Sequence, residues 1–342
     1  RVRNSMAKEK LRVATVRTLN FPNLQNYVAA QSFAVDQAKL DDRGWSLSDS
    51  HTQELLEKIK RLGIPLGEYV RGEIYRGVLT GLNEAFVIDA ETRRRLIAAD
   101  KKSAEIIKPF LLGRDIKRYQ PPESGSYLIF MPKGWTQEAS GGLSDTWNWL
   151  RNKYPAIAKY LLPFIEKAKN RCDKGEYWWE LRACDYYDEF EKPKIILPDI
   201  SLRGNFALDN TGGRYCVNTA YIISSADKYL LGILNSSLVT FFYKNISATF
   251  RGGYLRFIYQ YLILIPIHNI AFGRPDEKKK HDLMVQLVDQ MLGLHKQLAE
   301  TKTAHEQTII QRQIDATDKQ IDKLVYELYA LTPAEIAIVA GK

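Results

Sequence analysis

The chain has 342 residues, a length that corresponds to about two domains with a buried core. Apolar residues make up 45% and charged residues 26% of the sequence, which excludes a disordered, fibrous or low-complexity protein. The 49 Lys and Arg outnumber the 40 Asp and Glu, and the resulting net charge of +9 favours polyanionic partners.

The sequence predicts a soluble, cytoplasmic protein without a membrane partner. Its cysteines, Cys172, Cys184 and Cys216, have no CxxC spacing and indicate neither a disulfide framework nor a zinc site. The amino-terminal residues RVRNSMAKEK lack the apolar core of a signal peptide. The most apolar run, residues 262–267, contains Pro266 and is far too short to span a bilayer.

Up to residue 273 the sequence alternates candidate strands with candidate helices. Alternating and β-branched patterns predict strands over residues 85–89, 126–130, 194–197 and 215–223. Helical periodicity predicts helices over residues 91–99, 103–112, 155–169 and 227–243. Regular βαβ spacing and internal repeats are absent from the sequence, so we expect a mixed α+β fold and neither a doubly wound sheet nor a solenoid.

The last part of the chain carries two heptad patterns. The first comprises Met284, Leu287, Met291, Leu294 and Leu298, and the second comprises Ile310, Ile314, Thr317, Ile321, Leu324 and Leu328. Thr303 and Glu306 form a capping box between them, which predicts an antiparallel helical hairpin. Thr332 and Glu335 form a second box, which predicts a short final helix.

The composition changes near Gly273, where an aromatic-rich sequence gives way to a Lys-, Gln- and Leu-rich one, and we place a boundary there. Residues 1–273 hold 39 of the 49 Lys and Arg and 29 of the 40 Asp and Glu, so the excess positive charge precedes the boundary. The tail holds His281, His295 and His305, but their spacing does not suit a metal, and we expect them to be solvated.

The sequence contains no complete catalytic motif. Gly67 and Gly72 have the spacing of a phosphate-binding loop, yet Glu73 stands where that loop needs a lysine. Asp199 follows a predicted strand without the D/E-x-K pair of metal-dependent nucleases. The NPPY or DPPY sequence of an adenine methyltransferase is absent. These absences predict no catalytic residue, no metal and no cofactor in this chain.

An acidic cluster leaves one enzymatic alternative open. Asp185, Asp188, Glu189 and Glu191 precede two lysines, and carboxylates in such a group are potential ligands for a divalent metal. The chain could therefore be a metal-dependent nuclease. The competing interpretation is a solvated, salt-bridged loop.

Three basic segments are candidates for binding double-stranded DNA. Glycines allow close approach to phosphate, arginine binds phosphate or guanine, asparagine binds adenine, and tyrosine stacks on bases. The candidates are Lys244, Arg251, Tyr254 and Arg256 around Gly252 and Gly253; Arg203, Asn205 and Arg214 around Gly212; and Arg114, Lys117 and Arg118. The competing interpretations are tight turns and internal ion pairs, such as Arg114 with Asp115. Trp178 and Trp179 are expected in the core.

Several strings in fixed order resemble the TaqI-like specificity domain, the carboxyl-terminal target-recognition region of type IIG restriction-modification enzymes. They are GVLTGLNEAFVID, IIKPFLLGRDIKRY, YWWELR, FEKPKIILPDIS, YLLGILNSSLVTFFYK, RGGYLRF and QIDKLVYELYALT. The second string contains Arg114, Lys117 and Arg118, and the fifth and sixth strings contain Lys244, Arg251, Tyr254 and Arg256. The resemblance covers the chain from about Trp45 onward.

In that family one polypeptide joins a nuclease, an adenine methyltransferase and this region. The resemblance implies a junction over residues 1–44, a DNA target-recognition domain over 45–273, and the helical hairpin with its short helix over 274–342. It also implies that S-adenosylmethionine and magnesium belong to methyltransferase and nuclease modules outside this chain. Whether the chain itself belongs to an enzyme is left open, and so is a third hypothesis, a helical assembly module that does not bind DNA.

Overall fold

The computed structural model describes residues 10–14, 16, 18–37, 49–247, 249–250 and 252–341. Its strands are β1 (Lys10–Val13), β2 (Phe33–Asp36), β3 (Ile64–Pro65), β4 (Ile74–Arg76), β5 (Val87–Asp89), β6 (Ile107–Leu111), β7 (Ser126–Ile129), β8 (Lys194–Pro198), β9 (Ile200–Ser201), β10 (Ala207–Asp209), β11 (Tyr215–Cys216), β12 (Ala220–Ile223), β13 (Leu255–Arg256) and β14 (Pro266–Ile267).

The helices are α1 (Leu24–Gln31), α2 (Ser50–Leu62), α3 (Leu66–Tyr69), α4 (Asn83–Phe86), α5 (Ala90–Ala99), α6 (Trp135–Ser140), α7 (Thr146–Lys153), α8 (Pro155–Leu161), α9 (Ile165–Asn170), α10 (Lys228–Leu234), α11 (Ser237–Ile246), α12 (Tyr259–Leu262), α13 (Pro275–Glu300), α14 (Ala304–Leu328) and α15 (Pro333–Val339). The mixed α+β class is confirmed. None of the helices in the described ranges is both long and apolar enough to cross a membrane.

Two four-stranded sheets form the centre of the molecule. The first has the strand order β10-β8-β12-β4 and is antiparallel throughout. The second has the order β11-β6-β7-β5, with one parallel pair between β11 and β6. The pairs β1–β2, β3–β14 and β9–β13 are small two-stranded sheets. The architecture therefore rests on non-local antiparallel pairing.

The first sheet is buried on both faces because its side chains alternate between two hydrophobic cores. Ile195 and Leu197 of β8 join the first core, whereas Ile196 between them joins the second. Strand β12 repeats the pattern, with Ile223 in the first core and Ile222 in the second. A strand buried on both faces is a continuous apolar run, which is why β8 was visible in the sequence.

The helical hairpin packs against the first core. Helices α13 and α14 are joined by residues 301–303, and both heptad patterns contribute buried side chains. The predicted hairpin is confirmed, and so is the complete capping box of Thr332 and Glu335. At Thr303 the hydroxyl accepts from the Glu306 N–H as predicted, but the Glu306 carboxylate accepts from that hydroxyl and not from the Thr303 backbone N–H. Because residues on both sides of Gly273 share this core, the predicted boundary marks a change of element type within one packed unit. The domain limits themselves stay a prediction.

Several predicted elements were wrong in type or length. Residues 103–112 form a 3-10 turn followed by strand β6, because Pro109 does not fit the interior of a helix. The strand predicted over 85–89 begins only after helix α4 ends at Phe86. Two long helices are each divided in two, near Pro163 and at Ser236, whose side chain caps α11. The strand predicted over 215–223 is two strands, β11 and β12.

The histidines of the tail are less solvated than predicted. His305 is exposed, but His281 and His295 are half-buried. The ring of His281 lies 5.2 Å from that of Tyr229, and the ring of His295 lies 6.4 Å from that of Tyr119. Trp179 is buried, as predicted, and its Nε1 donates a hydrogen bond of 3.0 Å to Thr136.

Candidate nucleic-acid interface

Three sequence-predicted segments meet where strand β8 ends at Pro198. A Cβ atom added at Gly113 would lie 3.6 Å from the Cβ of Pro198, so the first basic segment abuts this strand end. Immediately after it, β9 pairs with β13, which places Arg256 opposite Ile200. Asn205 donates a hydrogen bond of 2.9 Å to the Ile116 carbonyl and ties the second segment to the first. Residues distant in sequence thus share one edge of the fold.

Strands β9 and β13 form a ribbon that is anchored to the core at its base. The backbone N–H of Phe257 donates to the Asp199 carbonyl at 2.7 Å. The Tyr243 hydroxyl donates to the Arg256 carbonyl at 2.7 Å, which fixes the ribbon to helix α11. Gly252 and Gly253 in the preceding turn have φ angles of +82° and +78°, in the left-handed region where glycine avoids strain. The ribbon is therefore held in a defined position.

Four cations on this edge are exposed. Lys117 and Lys244 have no hydrogen-bond or ion-pair partner within the described part of the chain. Arg114 lies 3.9 Å from Asp115 but is almost fully exposed. The ion pair between these two residues is therefore weak and leaves Arg114 able to bind an external anion. The guanidinium of Arg256 is 5.8 Å from the ring centre of Phe250. Tyr254, beside Arg256 in the sequence, is also exposed.

Three other candidates have internal partners. Arg118 donates to the Asn235 carbonyl through Nε and Nη2, at 3.1 and 2.7 Å, and forms an ion pair with Asp318 of α14. Arg203 lies 3.3 Å from the same carboxylate but is half-exposed. Asn205 uses its amide group as described above. These contacts fasten the basic segments to the helical hairpin, and any contact of these residues with DNA stays a prediction.

Arg214 is separated from the other candidates. It pairs with Asp209 at 2.6 Å, and Asp209 lies opposite Lys194, the first residue of β8. The converging segments lie at the last residue of β8, about 13 Å away at the usual rise of a strand. Arg251 lies outside the described residues.

Sequence reasoning considered Asp199 only as a metal ligand and missed its neighbours. Its side chain is buried at the strand end, and burial raises the pKa of the carboxyl group, an effect that Arg256 and Arg76 oppose. Arg76 is exposed and its Nε donates to the Asn218 carbonyl at 2.7 Å. The exposed Ile200 and Leu202 were also missed, because isolated apolar residues in a polar loop carry no periodic signal.

Two of the four residues of the acidic cluster, Glu189 and Glu191, form ion pairs. Glu189 lies 2.7 Å from Lys192 and accepts a hydrogen bond of 2.6 Å from Ser224. Glu191 lies 2.8 Å from Lys108. Across the described ranges, no group of three or more His, Cys, Asp or Glu side chains is placed to hold a metal ion. This arrangement gives the nuclease hypothesis no support.

Residues 108–267 match the family described as the TaqI-like C-terminal specificity domain. The chain carries a TaqI-like specificity domain. The match includes every predicted DNA-binding residue, and the resemblance drawn from the sequence is confirmed.

The chain is also similar to a curated protein. The chain is 26% identical over 234 residues to the type II methyltransferase M.PaeR7I of Pseudomonas aeruginosa. The aligned region is 65% of this chain and only 37% of that protein, so this chain spans little more than a third of the length of its relative.

The fold is similar to that of a solved structure. The type IIL restriction-modification enzyme MmeI, determined in complex with DNA, superimposes with a TM-score of 0.53 at 13% identity, covering 79% of this chain and 35% of MmeI. The type IIG restriction endonuclease BpuSI gives a TM-score of 0.42 at 14% identity over 87% of this chain and 36% of its own, which is too low to establish a shared fold.

Proposed function

We propose that this chain is the target-recognition module of a type IIG restriction-modification enzyme in the cytoplasm. It binds double-stranded DNA, reads a short sequence, and orients methyltransferase and nuclease modules of the same polypeptide. Its support comes from the matched specificity domain, from the methyltransferase relative and from the DNA complex of MmeI. S-adenosylmethionine and magnesium would act in the other modules, as the resemblance to type IIG restriction-modification enzymes implies.

The observation that carries the proposal is the group of exposed cations at one edge of the fold. Arg114, Lys117, Lys244 and Arg256 come from two of the basic segments, and all lie within the matched region. Exposed ammonium and guanidinium groups with no internal ion pair, or with only a weak one as at Arg114, bind phosphate at little cost. Lys117 and Lys244 would contact the backbone, while Arg256 on the ribbon would reach a base edge.

The assembly hypothesis receives no support from the hairpin. Its apolar seam is already covered, because Met284 and Val288 pack against Gly232 of α10. Asp322 of α14 accepts hydrogen bonds of 2.7 and 2.6 Å from the N–H and hydroxyl groups of Ser237. The hairpin therefore packs against α10 and α11 and supports the recognition surface.

A salt titration of the full 342-residue chain with duplex DNA tests the proposal. The binding constant should fall steeply with salt, and the double variant Lys117→Gln/Lys244→Gln should reduce the log-log slope by about 1.8, at about 0.9 per lost phosphate contact. Lys302→Gln is the control, because that exposed lysine lies about 24 Å along the hairpin from Asp318, which pairs with Arg203. Absence of salt-dependent DNA binding would refute the proposed function.

A further inference from the structure

The ribbon exposes large apolar side chains on its outer face. Leu255 of β13 is completely buried, whereas its neighbour Tyr254 is 43% exposed. On β9, Ile200 is 51% exposed and Leu202, just past the end of the strand, is 52% exposed. Side chains of a strand alternate between faces, so the inner face of the ribbon fills the core and the outer face is free.

The strand register places these residues on one surface. Leu255 pairs with Ser201 and Arg256 pairs with Ile200. Tyr254 and Leu202 are the next residues beyond the Leu255–Ser201 pair, one on each strand. Directly opposed side chains have Cβ atoms about 5 Å apart, and Tyr254 and Leu202 adjoin such a pair, so we treat the four outer residues as one patch. We call Ile200, Leu202, Tyr254 and Arg256 the outer ribbon face.

The surroundings of the outer ribbon face favour DNA as its partner. An exposed apolar patch with a polar rim is typical of an interaction site. Here the face itself contains a cation, Arg256, and a second cation, Lys244, lies on the helix that anchors the ribbon. Charge complementarity therefore favours a polyanion. A two-stranded ribbon fits the major groove of B-DNA, which is about 12 Å wide.

Within the major groove an apolar side chain has one distinctive partner. The C5-methyl group of thymine is the apolar group that base pairs present there, whereas the other groups are hydrogen-bond donors and acceptors. Resting on the proposed function, we propose that the outer ribbon face selects A·T pairs by packing Ile200, Leu202 and Tyr254 against thymine methyl groups. Arg256 then reads a neighbouring guanine through O6 and N7.

The inference is tested with DNA that lacks the methyl group. Duplexes bound by the full chain are first selected from a pool with a randomised central segment, which gives the preferred site. Each thymine of that site is then replaced by deoxyuridine, which removes only the C5-methyl group. At one or more positions the affinity should fall about fourfold, the value of one buried methyl group.

Variants assign the effect to the ribbon. Each ribbon side chain is replaced by alanine in turn, in Leu202→Ala, Ile200→Ala and Tyr254→Ala. At the thymine that the removed side chain contacted, each variant should bind the thymine duplex and the deoxyuridine duplex with equal affinity. Leu283→Ala is the matched control, since Leu283 is similarly exposed on α13. It should keep the full discrimination. Because the three side chains are exposed, the variants should unfold at the same urea concentration as the parent.

The possible results separate this inference from the proposed function. Sequence-selective binding without any loss on deoxyuridine substitution would overturn the thymine contact and leave the recognition function intact. Discrimination that persists in all three variants, or binding without sequence preference, would also overturn it. Failure to bind duplex DNA in any sequence would overturn the proposed function itself.

Discussion

Replacement of Asp209 by asparagine should strongly destabilise the protein, because it leaves a lysine charge unpaired in the core. Lys194 Nζ lies 2.6 Å from Asp209 Oδ2, and both side chains are 0% exposed. The same ammonium donates to the carbonyls of Phe190 and Lys192, at 2.6 and 3.1 Å, so all its donors have acceptors. Removing one partner of a buried ion pair costs about 3–5 kcal/mol, and we expect Asp209→Asn to lose that much unfolding free energy.

Urea unfolding followed by tryptophan fluorescence measures this loss, and two controls define its origin. Arg214→Gln removes the partly exposed ion pair on the other carboxylate oxygen and should cost less than about 1 kcal/mol. Lys194→Met combined with Asp209→Leu removes both charges and should recover most of the stability. A loss below about 1 kcal/mol for Asp209→Asn would refute the reasoning.

The pH dependence of the Asp209→Asn variant provides a second readout. Burial lowers the pKa of Lys194, and Asp209 opposes this effect, so the variant should lower the pKa further. Between that lowered pKa and the ordinary lysine value of about 10.4, the unfolded chain binds more protons than the folded one. The stability of the variant should therefore rise with pH across this window. If the loss of unfolding free energy in Asp209→Asn were the same at neutral and alkaline pH, the buried Lys194 charge would not be its cause.

Three further predictions concern thiols, histidines and glycines. Ellman's reagent should label the exposed Cys172 at once, but Cys216 only after unfolding, because burial raises the pKa of that thiol to about 12. Burial lowers the pKa of His295, so stability should fall as the pH decreases below about 6.5, and His295→Gln should reduce this fall in urea titrations. Gly77→Ala should cost about 1–3 kcal/mol, since the new Cβ would lie 2.1 Å from the Val217 carbonyl oxygen.

Each of these predictions has its own contradicting result. Rapid labelling of all the thiols in the folded chain would contradict the burial of Cys216. An acid-induced loss of stability that is identical in His295→Gln would show that other groups cause it. Gly293→Ala is the control for Gly77→Ala, because Gly293 lies within α13 with no heavy atom within 4 Å of the added methyl group. That substitution should stabilise the chain by about 0.5–1 kcal/mol.

The sequence predicted those elements whose signals are local. The hairpin followed from heptad spacing and the capping signal at Thr303, the final helix followed from the box at Thr332, and β7 and β8 followed from short apolar runs. The helix predicted over residues 103–112 was wrong, because an amphipathic helix and a buried strand give similar apolar runs. Pro109 favours the strand, since proline does not fit the interior of a helix. The family resemblance came from the order of many segments and did not depend on correct element limits.

The candidate site was less predictable because tertiary contacts decide which cations are free. Arg118 and Asp318 are 200 residues apart, and no local sequence pattern predicts their ion pair. Lys194 reads as a surface residue in the sequence, yet it is completely buried beside Asp209. The meeting of three basic segments at the end of β8 requires the sheet topology, which composition and periodicity do not contain.

The anchoring of the ribbon has a consequence for how target specificity changes during evolution. Its inward side chains, such as Leu255 and Phe257, are buried and hold the fold, whereas the outward ones are about half exposed, so mutations of outward residues should cost little folding free energy. Under the proposed function, one ribbon directs both methylation and cleavage. A single codon change there would alter the sequence that is methylated and the sequence that is cleaved together.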